Sequence, residues 1–135
     1  MLKKTITYTD YNGLERTEDH YFDLNEEEVM EMQVTTDGGL SEKLTKIVAS
    51  NDFPSIYRTF KGIVLKAYGV KSDDGRRFIK NDKVREDFMQ TKAFSKLMME
   101  LATDAKAGAA FVNGILPEEM VAAVSGKVPT LPANN

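Results

Sequence analysis

The sequence predicts an α+β fold, an N-terminal β-hairpin packed on a mostly α-helical single domain. Three observations carry that prediction. "KKTITYT" and "ERTEDHYF" flank Asn12-Gly13, a pair that tolerates the positive φ of a tight turn. "PSIYRTFKGIVLKAYG" places Ile56, Tyr57, Phe60, Ile63, Val64, Ala67 and Tyr68 on one stripe at helical spacing. "TKAFSKLMMELATDA" repeats the pattern with Phe94, Leu97, Met98 and Leu101.

Composition supports one domain. The chain has 135 residues, 41% hydrophobic and 29% charged, enough to bury a core without covalent staples. It has no cysteine, which excludes a disulfide framework, a thiolate metal site and a cysteine nucleophile. The N-terminus lacks the apolar core of a signal peptide, and no stretch approaches the roughly 20 apolar residues of a membrane span. A soluble protein of a reducing cytoplasm is the expectation. The domain is expected over residues 1–126, with the hairpin in 2–24, helices within 25–125 and a flexible tail at 127–135.

Along the chain, a loop of Asn12, Gly13 and Leu14 would set Leu2 opposite Leu24, Lys4 opposite Phe22 and Ile6 opposite His20. That register gathers apolar side chains on one face, where a two-residue loop would spread them over both. Asn25 followed by Glu26, Glu27 and Glu28 predicts a capped helix start, with the acids at the positive end of the dipole. That helix is short, because "QVTTDGG" follows. Ser41 is placed to cap another helix with Leu44, Ile47 and Val48 on one face, ahead of a loop at "SNDFP". Pro54 suits the first turn of the central helix. Gly69 is expected in the left-handed position after that helix, with Val70 making the accompanying apolar contact. Thr103 or Asp104 can cap "AKAGAAFVNG", which ends at Gly114; Pro117, Glu118 and Glu119 open a last helix that Gly126 closes.

The stretch "YGVKSDDGRRFIKND" could be a cation loop, a phosphate grip or a turn between two helices. A cation loop needs oxygen ligands at alternate positions, but Arg76, Arg77, Phe78 and Ile79 stand where they should be. A phosphate loop needs more glycines and a following Lys-Ser or Lys-Thr. A turn accounts for the residues, with Phe78 and Ile79 pinning it to the core. His20, the one histidine, has no second histidine or cysteine with which to bind zinc, and reads as a surface or edge residue. The carboxylates Glu26 to Glu28 are explained by the helix dipole. No catalytic set, metal site or cofactor site emerges.

Charge is uneven within a net −3. Glu15 to Glu31 holds eight acids and one arginine, and Arg58 to Lys96 holds eleven bases and five acids. A nucleic-acid binder using the basic segment is one alternative, but the chain as a whole is acidic and carries no recognition motif. Seven methionines are present; methionine fills irregular cores and also suits adaptable contact surfaces.

Ala-Tyr-Gly, Ser-Asp-Asp-Gly, Phe-Ile-Lys, Glu-Leu-Ala-Thr-Asp and Asn-Gly-Ile-Leu-Pro occur in order, behind the hairpin and acidic helix. With them, residues 2 to 117 resemble the tail assembly chaperones of long-tailed bacteriophages. The resemblance implies a non-enzymatic protein of the host bacterial cytoplasm, absent from the mature virion. It would bind the tape measure protein and help recruit the tail tube protein around it. It also implies a longer form made by ribosomal frameshifting, with which Gly126-Lys127 is compatible. Candidate client-binding residues are Phe94, Met98, Met99 and Leu101, with Met30 and Met32 across from them. Met99, out of phase with the core stripe, is the better surface candidate. A self-associating or structural interaction module, using the hairpin edge to form a homo-oligomer or joining the tail, is the other alternative.

Overall fold

The computed structural model describes residues 1–36, 38–39, 42–43, 46 and 49–117. The expected helix carrying Leu44, Ile47 and Val48, the last helix from Glu118 and the tail lie outside the described residues. Among those described, the order is β1 (Leu2–Thr9), β2 (Glu15–Phe22), α1 (Glu26–Thr35), α2 (Phe53–Ala67), β3 (Tyr68–Lys71), β4 (Phe78–Ile79), α3 (Asp82–Met89), α4 (Lys92–Thr103) and α5 (Ala105–Ile115). The fold class is α+β.

The hairpin forms with the expected faces but in a different register. Leu2 pairs with Phe22, Lys4 with His20 and Ile6 with Glu18. Asp10 decides this. Its carboxylate accepts the Asn12 and Leu14 N–H groups at 2.8 and 3.0 Å, and its own N–H donates to the Leu14 carbonyl. The loop is therefore Tyr11-Asn12-Gly13, with Gly13 at φ +82°. The Arg16 guanidinium and then the Leu14 N–H hold the Asp10 carboxyl below its usual range. Because the shift is an even number of residues, Leu2, Ile6 and Phe22 still face inward. On the outer face Thr5 donates to Asp19 and Thr7 meets Thr17 across the strands.

Asn25 caps α1 as expected. Its side chain accepts the Glu28 N–H at 2.9 Å, and Glu28 returns a carboxylate to the Asn25 N–H. Asp52 caps α2, with Pro54 in the first turn. Ile56, Phe60, Ile63, Val64 and Ala67 are its buried face.

The segment after α2 departs from expectation. Tyr68 and Gly69 leave the helix directly into β3, which pairs antiparallel with the end of β2 and with β4 in a sheet of order β1-β2-β3-β4. Gly69 is not left-handed, and Val70 is exposed. The glycine is needed for space instead. A Cβ there would lie 2.8 Å from the Phe78 ring and 3.0 Å from the Ile79 carbonyl oxygen. Gly69→Ala is expected to cost about 1–3 kcal/mol, as overpacking does. Chemical denaturation checks this, and an unchanged midpoint would show that Phe78 swings aside freely.

"SDDG" is thus a turn between two strands rather than two helices. Asp74 accepts the Arg76 N–H and the Ser72 hydroxyl, and Gly75 takes φ +74°. Those bonds depress the Asp74 carboxyl pKa, the Arg76 N–H most. Helix α3 is an additional element that the sequence reading did not place. Asn81 caps it through the Val84 N–H, and it exists to bring Phe88 inward. Thr91 caps α4, and Asp104 ends α4 while capping α5. Gly114 is inside α5, packed against Leu2.

The core lies between the inner sheet face and α2, α4 and α5. At its centre Phe22, Tyr68, Phe88, Phe94 and Phe111 meet; Tyr68 stacks on Phe88 with centroids 4.0 Å apart. His20 belongs to this group as a half-buried residue rather than a surface one. Its ring lies 5.2 Å from Phe88, and burial lowers its pKa. Its Nε2 is 3.8 Å from a Glu18 oxygen and makes no hydrogen bond among the described residues.

Candidate protein-interaction surface

The proposed client-binding residues divide by burial. Phe94, Met98 and Leu101 point into the core from α4, because they share the stripe that Leu97 and Ala93 complete. Met98 and Leu101 also line a small apolar pocket with Phe53, Tyr57, Phe60 and Ala102, where α2 begins and α4 ends. Phe53 is 51% exposed, so that pocket carries an aromatic side chain open to solvent. Met99 is 61% exposed, on the side of α4 away from the core.

On α1 the division is sharper. Val29 is buried and Met32 packs half-buried against the core, while Met30 is 55% and Val34 72% exposed. Met30 and Val34 are four residues apart, one turn, and form an apolar pair on the outward side. The sequence reading named Met30 but missed Val34 and Phe53. The spacing of Met30 and Val34 was the available signal, once Val29 took the inward position.

Between α1 and α2 runs an open groove of about 600 Å³. Met32 and Ile63 supply apolar lining, Thr35, Thr36, Ser55 and Thr59 supply hydroxyls, and Lys43, Arg58 and Lys66 stand along it. A second cleft of about 520 Å³ separates the hairpin tip from α4, where Lys92 sits 5.0 Å from the Tyr11 ring centroid.

The basic run from Arg58 to Lys96 is dispersed by the fold. Lys80 binds Glu28, Lys83 binds Asp87, Arg85 reaches Asp82 and the Leu65 carbonyl, and Lys96 donates to the Thr7 carbonyl. Lys71 lies over Tyr21. Among the described residues no group of three or more His, Cys, Asp or Glu side chains could hold a metal ion. No helix among them is long and apolar enough to cross a membrane.

No curated protein sequence and no solved structure matches the chain. A family model described as phage tail assembly chaperone matches residues 1–134, nearly its whole length. With a match of that extent over a hairpin, an acidic capped helix and a helical core, the chain belongs to the phage tail assembly chaperone family.

Proposed function

We propose that this chain acts by binding and not by catalysis, holding the tape measure protein soluble in the host bacterial cytoplasm while the tail tube protein assembles around it. Family membership supplies the class. The observation that carries the partner-binding reading is the exposed apolar pair Met30 and Val34, joined by exposed Phe53 and Met99 on other elements. Large apolar side chains left in water are contact points for an apolar partner surface, and methionine adapts to varied side chains of a helical client. Phe94, Met98 and Leu101 would act beneath that surface, shaping it from the core. On this reading the chain leaves before the virion is complete, and a frameshifted longer form would share the same domain.

Co-expression with the tape measure protein tests the proposal. The soluble fraction of the client is expected to rise severalfold, with the two proteins co-eluting in size exclusion. Val34→Glu with Met99→Glu should reverse most of the gain while leaving this chain folded. A client that stays insoluble and never co-elutes would overturn the reading. A second reading, self-association as a structural module, is favoured by β1, an eight-residue edge strand with one side of its backbone unpaired in the sheet. The same column distinguishes it, because this chain alone would then elute as a stable multimer.

A further inference from the structure

We propose that the groove between α1 and α2 is a docking site for an acidic amphipathic helix of a protein partner. It deepens the proposed function, on which it rests only for which protein supplies the helix. Lys43, Arg58 and Lys66 stand along the groove, and none has a carboxylate within ion-pairing distance among the described residues. Elsewhere in the same basic run Lys80, Lys83 and Arg85 are all paired with acids. Arg58 donates to the Ser55 hydroxyl at 3.3 Å and feels the Asp52 carboxylate beyond it, without an ion pair among the described residues. Other cations of the run, Arg76 and Arg77 among them, also lack an acid partner among the described residues, but Lys43, Arg58 and Lys66 are the ones set along one concavity. Uncompensated like charge along a concavity costs self-repulsion and is relieved by an anionic occupant.

Shape selects the class of anion. The α2 wall runs from Ser55 to Lys66, roughly 16 Å at helical rise, or about three turns of a docked helix. Met32 and Ile63 give an apolar strip for the inner face of such a helix, and a Cβ at Gly62 would meet nothing within 4 Å. Nucleic acid would call for aromatic platforms, and among the described residues no aromatic side chain lines the groove. A second copy of this chain is the competing source, and elution of this chain as a multimer that Arg58→Glu with Lys66→Glu disperses would overturn the assignment to another protein.

Fluorescence anisotropy on the full chain tests this. The probes are a labelled acidic amphipathic peptide of about twenty residues, long enough to hold a helix in the groove, a basic peptide of the same apolar pattern, and oligodeoxythymidine. The acidic peptide is expected to bind, more weakly as salt rises, while the basic peptide does not. Arg58→Glu with Lys66→Glu should weaken it at least tenfold. The charge-matched pair Lys83→Glu with Lys106→Glu should leave it unchanged, and Arg58→Ala with Lys66→Ala should give an intermediate loss if reversal perturbs folding. Acidic binding no tighter than basic, equal loss in the control pair, or binding by the oligonucleotide alone would overturn the proposal. Peptide binding without any rise in client solubility would leave the groove standing and remove the tape measure protein as its occupant. Client rescue that survives the groove variants, with no peptide binding, would do the reverse.

Discussion

Phe22→Ala is expected to lower the unfolding free energy by about 3–5 kcal/mol, the range for truncating a buried phenylalanine. Phe22 has no exposed surface and is the ring through which the sheet meets the helices. Its centroid lies 5.1 Å from Phe111 on α5 in an edge-on arrangement, 5.6 Å from Tyr68 and 5.9 Å from Phe88 on α3. These neighbours belong to three different elements, each anchored by other contacts, so they cannot all move in to close the void. Urea denaturation followed by circular dichroism measures the loss. A cost below about 1 kcal/mol would mean that the aromatic cluster collapses into the space, contrary to its packing.

Lys80→Ala is expected to be the most damaging charge removal, at roughly 1.5–3 kcal/mol, the range for hydrogen bonds to charged groups. The Lys80 ammonium donates to the Asp23 carbonyl at 2.7 Å and to both Glu28 oxygens at 2.8 and 2.9 Å. The two side chains are only 12% and 20% exposed, so water replaces the lost bonds poorly. Glu28 meanwhile completes the capping box of α1, and Lys80 follows β4, so one ammonium ties the second hairpin to the start of α1. Lys80→Met keeps the aliphatic stem and should lose nearly as much, which separates charge from packing. Adding Glu28→Gln to Lys80→Met should recover part of the loss, since it removes the stranded carboxylate. Equal stability of wild type and Lys80→Met would show that the pair contributes nothing. Surface pairs such as Lys83 with Asp87 stand in contrast, being mostly exposed and worth little.

Local chemistry was readable where it acts over a few residues. The Asn25 cap, the Asp104 junction, the Pro54 start and the stripes of α2 and α4 all follow from side chains bonding their own backbone or from period alone. The hairpin was readable in its faces but not its register, because alternation sets the face whereas Asp10 set the loop. Gly69 was misread for a related reason. A glycine after a helix usually marks a left-handed cap, but here it marks contact with Phe78, nine residues further along the chain. Helix α3 had its signals in Asn81, Val84 and Phe88, but eight residues form too short a segment for period to stand out from a charged background.

The proposed binding residues show the same division. Met99 could be assigned to the surface from its phase on α4, and it is exposed. Phe94, Met98 and Leu101 share one face by sequence, yet whether that face opens to solvent depends on α2 and α5 lying across it.

By itself the sequence determined the class of fold, the positions of the long helices, the inward face of the hairpin and a resemblance that the family match bears out. Only the tertiary structure decided that β3 and β4 extend the sheet, that His20 sits among aromatic rings, and which cations line the α1–α2 groove. The physical reason is range. Capping and periodicity are settled within a turn or two of chain, whereas burial and ion pairing depend on partners such as Glu28 and Lys80 that meet only when distant segments pack.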